Sequence, residues 1–100
     1  MPKPKRNKME IYNDILSAIS HELANGEAKP TRVQSLSNLA YDKLVRYLDE
    51  LEGRNMIRQG PLGITEKGRD FLEDYNRIGD FLLAMGVKYL DASEREIDER

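Results

Sequence analysis

The side chains of this chain that could do chemistry are cations and hydroxyls, spaced to hold an anion or a base edge. Lys43 and Arg46 stand one helical turn apart, with Tyr41 just ahead of them. Thr31, Arg32, Gln34 and Ser35 form a second polar group upstream. A third lies at the N-terminus, where Lys3, Lys5, Arg6 and Lys8 precede the first acidic residue, Glu10. A guanidinium can pair bidentately with a guanine edge, an ammonium can hold a base or a phosphate, and a tyrosine can donate its hydroxyl or lie on a sugar. The competing reading is a solvated helix face, with Lys43 and Arg46 bridged to Asp42, Asp49 or Glu50.

Bond-breaking chemistry finds little support. The chain has no cysteine and a single histidine, His21, so there is no thiolate and no second imidazole for a metal or a triad. There is no glycine-rich phosphate loop. Asp49, Glu50 and Glu52 fall on the expected solvent side of a helix, and the acidic C-terminal run reads as a solvated face. No enzymatic activity, cofactor or metal is expected.

Charge separates the two ends. Residues 1–69 carry twelve Lys/Arg against nine Asp/Glu, whereas residues 70–100 carry four against nine. That split suits a head that meets a polyanion and a tail that does not. The net charge of −2 argues against a protein that coats nucleic acid indiscriminately. No apolar run is long enough to span a membrane, and the N-terminus lacks the apolar core of a secretory signal. A soluble, cytoplasmic protein is expected.

Several elements must position these groups. Residues 1–8 read as a flexible basic arm, kept extended by Pro2 and Pro4. Ile11, Ile15, Leu16, Ile19 and Leu23 recur at helical spacing over Lys8 to Ala24, and Asn25-Gly26 ends that helix. A short second helix is expected from Thr31 as N-cap, with Gln34 completing a capping box, to about Ser37. A third runs from Tyr41 to between Glu52 and Arg54, with Leu44, Leu48 and Leu51 inward and Asn55 as its left-handed stop. Met56 to Gln59 reads as a strand, Gly60-Pro61-Leu62-Gly63 as a tight turn, and Ile64 as the return. Thr65 then caps a long helix extending to about Ala92.

On that last helix Phe71, Tyr75, Ile78, Leu82, Met85 and Tyr89 alternate at spacings of four and three, the pattern of a coiled-coil seam. A helix of that length, roughly 40 Å at 1.5 Å per residue, cannot bury its stripe on so small a head. The simplest partner is a second copy. Gly79 and Gly86, one heptad apart, fit close approach by that partner; a kinked helix is the alternative. The expected fold is therefore mainly α with a small β-hairpin (α+β): a winged helix-turn-helix over residues 9–65, a coiled-coil dimerisation helix over 66–92, and a polar tail at 93–100.

Four segments carry a family resemblance: Glu10-Ile11-Tyr12-Asn13-Asp14-Ile15-Leu16, Lys29-Pro30-Thr31-Arg32-Val33, Leu39-Ala40-Tyr41-Asp42-Lys43-Leu44-Val45-Arg46-Tyr47-Leu48 and Ile64-Thr65-Glu66-Lys67-Gly68. In this order they resemble the small archaeal winged-helix DNA-binding proteins of the Sulfolobus ten-a type. The resemblance implies a homodimer on double-stranded DNA, its C-terminal helices paired antiparallel; the heptad spacing alone leaves the direction open. It also implies that Tyr41, Lys43 and Arg46 face the major groove while Thr31, Arg32, Gln34, Ser35, Lys3, Lys5 and Arg6 hold the backbone. Ala40 stands where the family often has a capping serine, and Asn55 where glycine is usual. The turn tip carries no charge, which shifts wing contacts to Arg58 and Gln59. Gene regulation and chromosome architecture both fit. The competing function is a winged-helix module for protein–protein contact, dimerised the same way.

Overall fold

The computed structural model describes residues 6–89, with side chains through Lys88. Lys3 and Lys5, the side chain of Tyr89, the expected helix end at 90–92 and the tail at 93–100 lie outside the described residues. The elements run α1 (Lys8–Ala24), α2 (Pro30–Ser37), α3 (Tyr41–Gly53), β1 (Ile57–Arg58), β2 (Gly63–Ile64) and α4 (Glu66–Tyr89). The two strands pair antiparallel, Ile57 opposite Ile64 and Arg58 opposite Gly63. Among the described residues no helix is long and apolar enough to cross a membrane.

Helix starts follow local chemistry, with one departure from expectation. Asn7 and Glu10 form a reciprocal capping box at α1, each side chain accepting the other's amide at 2.8 Å. Asn7, within the stretch expected as an arm, is thus the cap of α1. The box expected at α2 is absent: Pro30 takes the first helical position, and the cap falls on Lys29 without a side-chain bond. Proline needs no amide partner there and holds its predecessor extended, so the cap moves two residues upstream, from Thr31 to Lys29. Asn38 and Asn55, at φ 57° and 64°, end α2 and α3 in the left-handed region. The β strand is shorter than the expected Met56–Gln59.

The core gathers Tyr12, Ile15, Leu16 and Ile19 from α1, Val33 from α2, Leu44, Leu48 and Leu51 from α3, and Met56, Ile57 and Ile64 from the hairpin. Leu39 packs against it half-buried, as its place between α2 and α3 requires. Tyr12 is an aromatic hub. Its ring meets those of Tyr47 at 6.3 Å and Phe71 at 6.2 Å, both edge-on, and the Arg54 guanidinium lies 5.9 Å from its centroid.

Glu50, expected on a solvated face, is half-buried between α1 and α3. It accepts from Lys8 at 2.8 Å and lies 3.6 Å from Arg54. The hydrogen bond from Lys8 holds the Glu50 carboxyl below its usual range, against an opposing push from desolvation, and the same bond holds Lys8 above its own. The buried Tyr12 hydroxyl makes no hydrogen bond of good geometry. Burial first, and the neighbouring Glu50 second, push its pKa up.

The start of α4 is fastened to the corner between α3 and β1. The Thr65 hydroxyl accepts from the Gly68 amide at 3.1 Å as a helix cap and donates to the Asn55 carbonyl at 2.6 Å. Lys67 reaches the Arg54 carbonyl at 2.8 Å, and the Thr65 amide reaches the Met56 carbonyl at 3.1 Å. Phe71 and Leu72 then pack on the head, and Tyr75 stacks on Phe71 at 5.9 Å. Phe71, expected in a seam between chains, thus spends part of its ring on its own head. Farther along, Ile78, Phe81 and Leu82 are 57%, 60% and 63% exposed.

Two measurements test this packing. A Cβ at Gly68 would run into the Met56 carbonyl oxygen and stand 2.8 Å from Ile64 Cγ1. Gly68→Ala should therefore lower stability in urea melts by about 1–3 kcal/mol despite its better helix propensity. Gly53→Ala, with open space around its added carbon, should be neutral or slightly stabilising. Because the folded carboxyl of Glu50 has the lower pKa, its contribution is present above the usual carboxylate range and is lost as pH falls through the lowered value. Glu50→Gln should give a shallower acid limb in a plot of melting temperature against pH; an unchanged limb would exclude this pair as a source of acid sensitivity.

Candidate nucleic-acid interface

The site is built on the helix-turn-helix formed by α2 and α3. Val33 and Ser37 face inward on α2, and the Ser37 hydroxyl donates to the Val33 carbonyl at 2.6 Å. Leu44, Leu48 and Leu51 anchor α3, which turns Tyr41, Asp42, Lys43, Val45 and Arg46 outward. Tyr41 is 57% exposed. Neither helix has a side-chain bond at its cap, Lys29 for α2 and Ala40 for α3; the first amides of α3 are open to an incoming anion, whereas at α2 Pro30 has no amide hydrogen and Arg32 donates to the Lys29 carbonyl, which leaves the Thr31 amide.

The proposed self-pairing of α3 charges does not form. Among the described residues Tyr41, Lys43 and Arg46 make no side-chain hydrogen bond or ion pair. Two of the carboxylates that could have held the cations are engaged elsewhere. Glu50 holds Lys8 and Arg54, and Asp49 accepts from the Gln59 amide at 3.1 Å, which also reaches Glu52 at 3.0 Å. Lys43 and Arg46 therefore stand outward with their charges available.

The other expected contacts divide. Thr31 and Ser35 are exposed at the start and middle of α2, and Gln34 is half-buried. Arg32 is exposed but leans 3.4 Å from the buried carboxylate of Glu22, so its guanidinium also serves the fold. Arg6 bonds Asp14 at 2.6 Å and the carbonyls of Ser37 and Asn38 at 2.8 and 2.9 Å. It clasps the root of the arm to the turn between α2 and α3 and is committed to the protein. Gln59 is likewise committed to α3. Arg58 lies across Gly63, its Nη2 3.3 Å from where a Cβ would stand, and makes no ion pair among the described residues. The turn tip is folded back by Leu62, which packs half-buried on the core.

The arrangement thus presents two helix N-termini, two unpaired cations on α3 and one on the hairpin, with no metal-binding cluster among the described residues. Sequence reading missed the Arg6 clasp, because no local pattern announces a side chain that bonds carbonyls thirty residues away. It also missed Phe81, Leu83 and Val87, exposed apolar residues of α4 outside the seam. Their signal was present, since 81–87 is an unbroken apolar run.

A search among curated proteins finds no match. A family model described as winged helix-turn-helix matches residues 5–82, from the root of the arm through most of α4. With more than half of its length matched, the chain belongs to the winged helix-turn-helix family, whose members are typically non-enzymatic DNA-binding domains.

Proposed function

We propose that the chain is a homodimeric DNA-binding protein of the archaeal ten-a type, working in the cytoplasm on the nucleoid as a transcriptional regulator or chromosome-architecture factor. The observation that carries this reading is the pair Lys43 and Arg46, unpaired on the outward face of α3 while Asp49 and Glu50 are engaged elsewhere. In this family geometry α3 lies in the major groove and the N-terminus of α2 crosses the backbone. Arg46 then reads a guanine, Lys43 a base or phosphate, and Tyr41 a sugar or phosphate oxygen. Thr31 with its backbone amide, Arg32, Gln34 and Ser35 meet phosphates, joined by Lys3 and Lys5 of the arm and by Arg58 of the wing. Dimerisation through α4 is supported by its exposed Ile78, Leu82 and Met85 at seam spacing, a spacing that Phe71, Tyr75 and Tyr89 continue in the sequence.

Fluorescence anisotropy on duplex DNA across a salt series tests the interface. Binding should weaken steeply with salt, and Lys43→Ala should reduce the slope of log K against log salt by about one if it holds a phosphate. Arg46→Ala should cost about 1–3 kcal/mol on a preferred site through loss of a bidentate base contact. Absence of duplex binding even at low salt would leave the winged helix as a protein-contact module. Leu82→Glu places a charge in the seam and should shift the protein to monomer in sedimentation equilibrium; a persisting dimer would put the interface elsewhere.

A further inference from the structure

We infer that Arg58 and Arg69 form a phosphate site in the cleft between the hairpin and the start of α4, sized for a single nucleotide. The cleft is a cavity of about 340 Å³, at the small end of the roughly 300–1,000 Å³ in which ligand sites fall. One guanidinium enters it from β1 and the other from the first turn of α4. Leu23, Pro61, Leu62 and Ile64 supply apolar wall, and the lining holds no carboxylate. Paired guanidiniums beside an apolar wall match a phosphate joined to a flat, weakly polar body.

Both cations are unopposed. Arg69 makes no ion pair among the described residues, although Glu66 and Glu73 stand one turn away on its own helix. Arg58 makes none either. Other clefts of the protein match their cations: the cavity beside Arg32 also holds Glu22 and Glu27, and the one beside Arg77 holds Asp74. Two like charges facing one cavity repel, and no carboxylate of the lining offsets that repulsion. A bound dianion does.

Gly63 gives Arg58 its seat. It is buried and pairs with Arg58 across the two strands. Its backbone lies outside the left-handed region, so conformation does not call for glycine there. A Cβ at Gly63 would stand 3.3 Å from Arg58 Nη2 and 3.8 Å from both Cζ and Nε. The guanidinium therefore lies along the bare strand, in the space a side chain would take. Arg69 is set by the other wall: its amide donates to the Thr65 carbonyl at 3.0 Å, in the turn whose cap is fastened to the Asn55 carbonyl. Two guanidiniums are thus offered from two elements whose separation the fold fixes, as bidentate recognition of phosphate requires.

Two sources can supply the phosphate: a free nucleotide, or one unit of a DNA strand. The second rests on the DNA reading above; the first does not. Arg69→Ala removes an exposed side chain with no ion pair among the described residues, and Arg77→Ala removes the same charge from α4 outside the cavity. Calorimetric titration with adenosine monophosphate, with adenosine and with duplex DNA separates the sources. If a free nucleotide is the occupant, adenosine monophosphate binds, adenosine does not, and Arg69→Ala weakens the nucleotide by about tenfold or more. If a DNA strand is the occupant, the free nucleotide does not bind. Arg69→Ala then weakens the duplex by a similar factor and lowers its salt slope by about one. Arg77→Ala should change neither ligand; an equal loss there would mean a general charge effect and overturn the site. So would nucleotide and duplex titrations that Arg69→Ala leaves unchanged. With native duplex binding intact, that result sinks this site and leaves the DNA reading standing, whereas a native chain that binds neither ligand overturns both.

Discussion

Everything beyond the head depends on how three successive carbonyls, those of Arg54, Asn55 and Met56, receive the start of α4. Lys67 takes the first, the Thr65 hydroxyl the second and the Thr65 amide the third. Gly68 lies against the same stretch so closely that no side chain fits between. These carbonyls are presented at the end of α3 because Asn55 adopts the left-handed conformation. The end of the candidate recognition helix and the beginning of the long helix therefore share one joint. Its bonds are short and its packing tight, so α4 leaves the head in a direction set relative to α3. In the proposed dimer, rigidity at this point is what would let a rod space two heads.

The same economy governs the charges. Arg6, Lys8, Arg32, Arg54 and Lys67 are used inside the protein, on carboxylates or on backbone carbonyls at the ends of helices. Most of these pairs are exposed and contribute little to stability individually. Their consequence is geometric: they tie α1 to α3, the arm root to the helix-turn-helix, and α4 to the head. Lys8 and Arg54 also occupy Glu50, one of the carboxylates that could otherwise neutralise Lys43 or Arg46. A chain with net charge −2 can then still show a positive face, because the field at contact distance is set by the unpaired local charges.

Most of the fold was legible because its signals are periodic. Leu44, Leu48 and Leu51 on α3, and Ile15, Leu16 and Ile19 on α1, announce buried faces that the core reproduces. Thr65 and Asn55 are read from local backbone chemistry, and both behave as such residues must. What escaped was non-periodic. Pro30 overrode the Thr31 box because a fixed φ outweighs a side-chain cap that is worth about 1 kcal/mol. Tyr12 lies beside the Ile11–Ile15–Ile19 spacing and not on it, and only the third dimension brings Tyr47, Arg54 and Phe71 to its ring. Glu50 and Arg6 act across tens of residues, where spacing carries no information. In the candidate site, Lys43, Arg46 and Tyr41 are where helical geometry puts them. The commitment of Gln59 and Arg6 to the protein needed coordinates.

The division of α4 into two halves ties assembly to folding. Up to Tyr75 the helix is supported by Phe71 and Leu72 on the head. Past that point its large apolar side chains are exposed among the described residues, and Gly79 interrupts a run that would otherwise favour helix. An isolated helical segment of that length is marginal in water. Burying an Ile, Leu, Met or Phe side chain recovers about 1.5–3 kcal/mol each. In the dimer proposed here, those residues are buried by the same event that orders the segment carrying them. Formation of the rod and pairing of the chains are then one equilibrium, and the distance between heads is defined only when both are complete. The proposed dimer would present a single head to DNA when dilute and two heads at a set spacing when paired, so its affinity for long duplexes would rise with its own concentration faster than single-site binding allows.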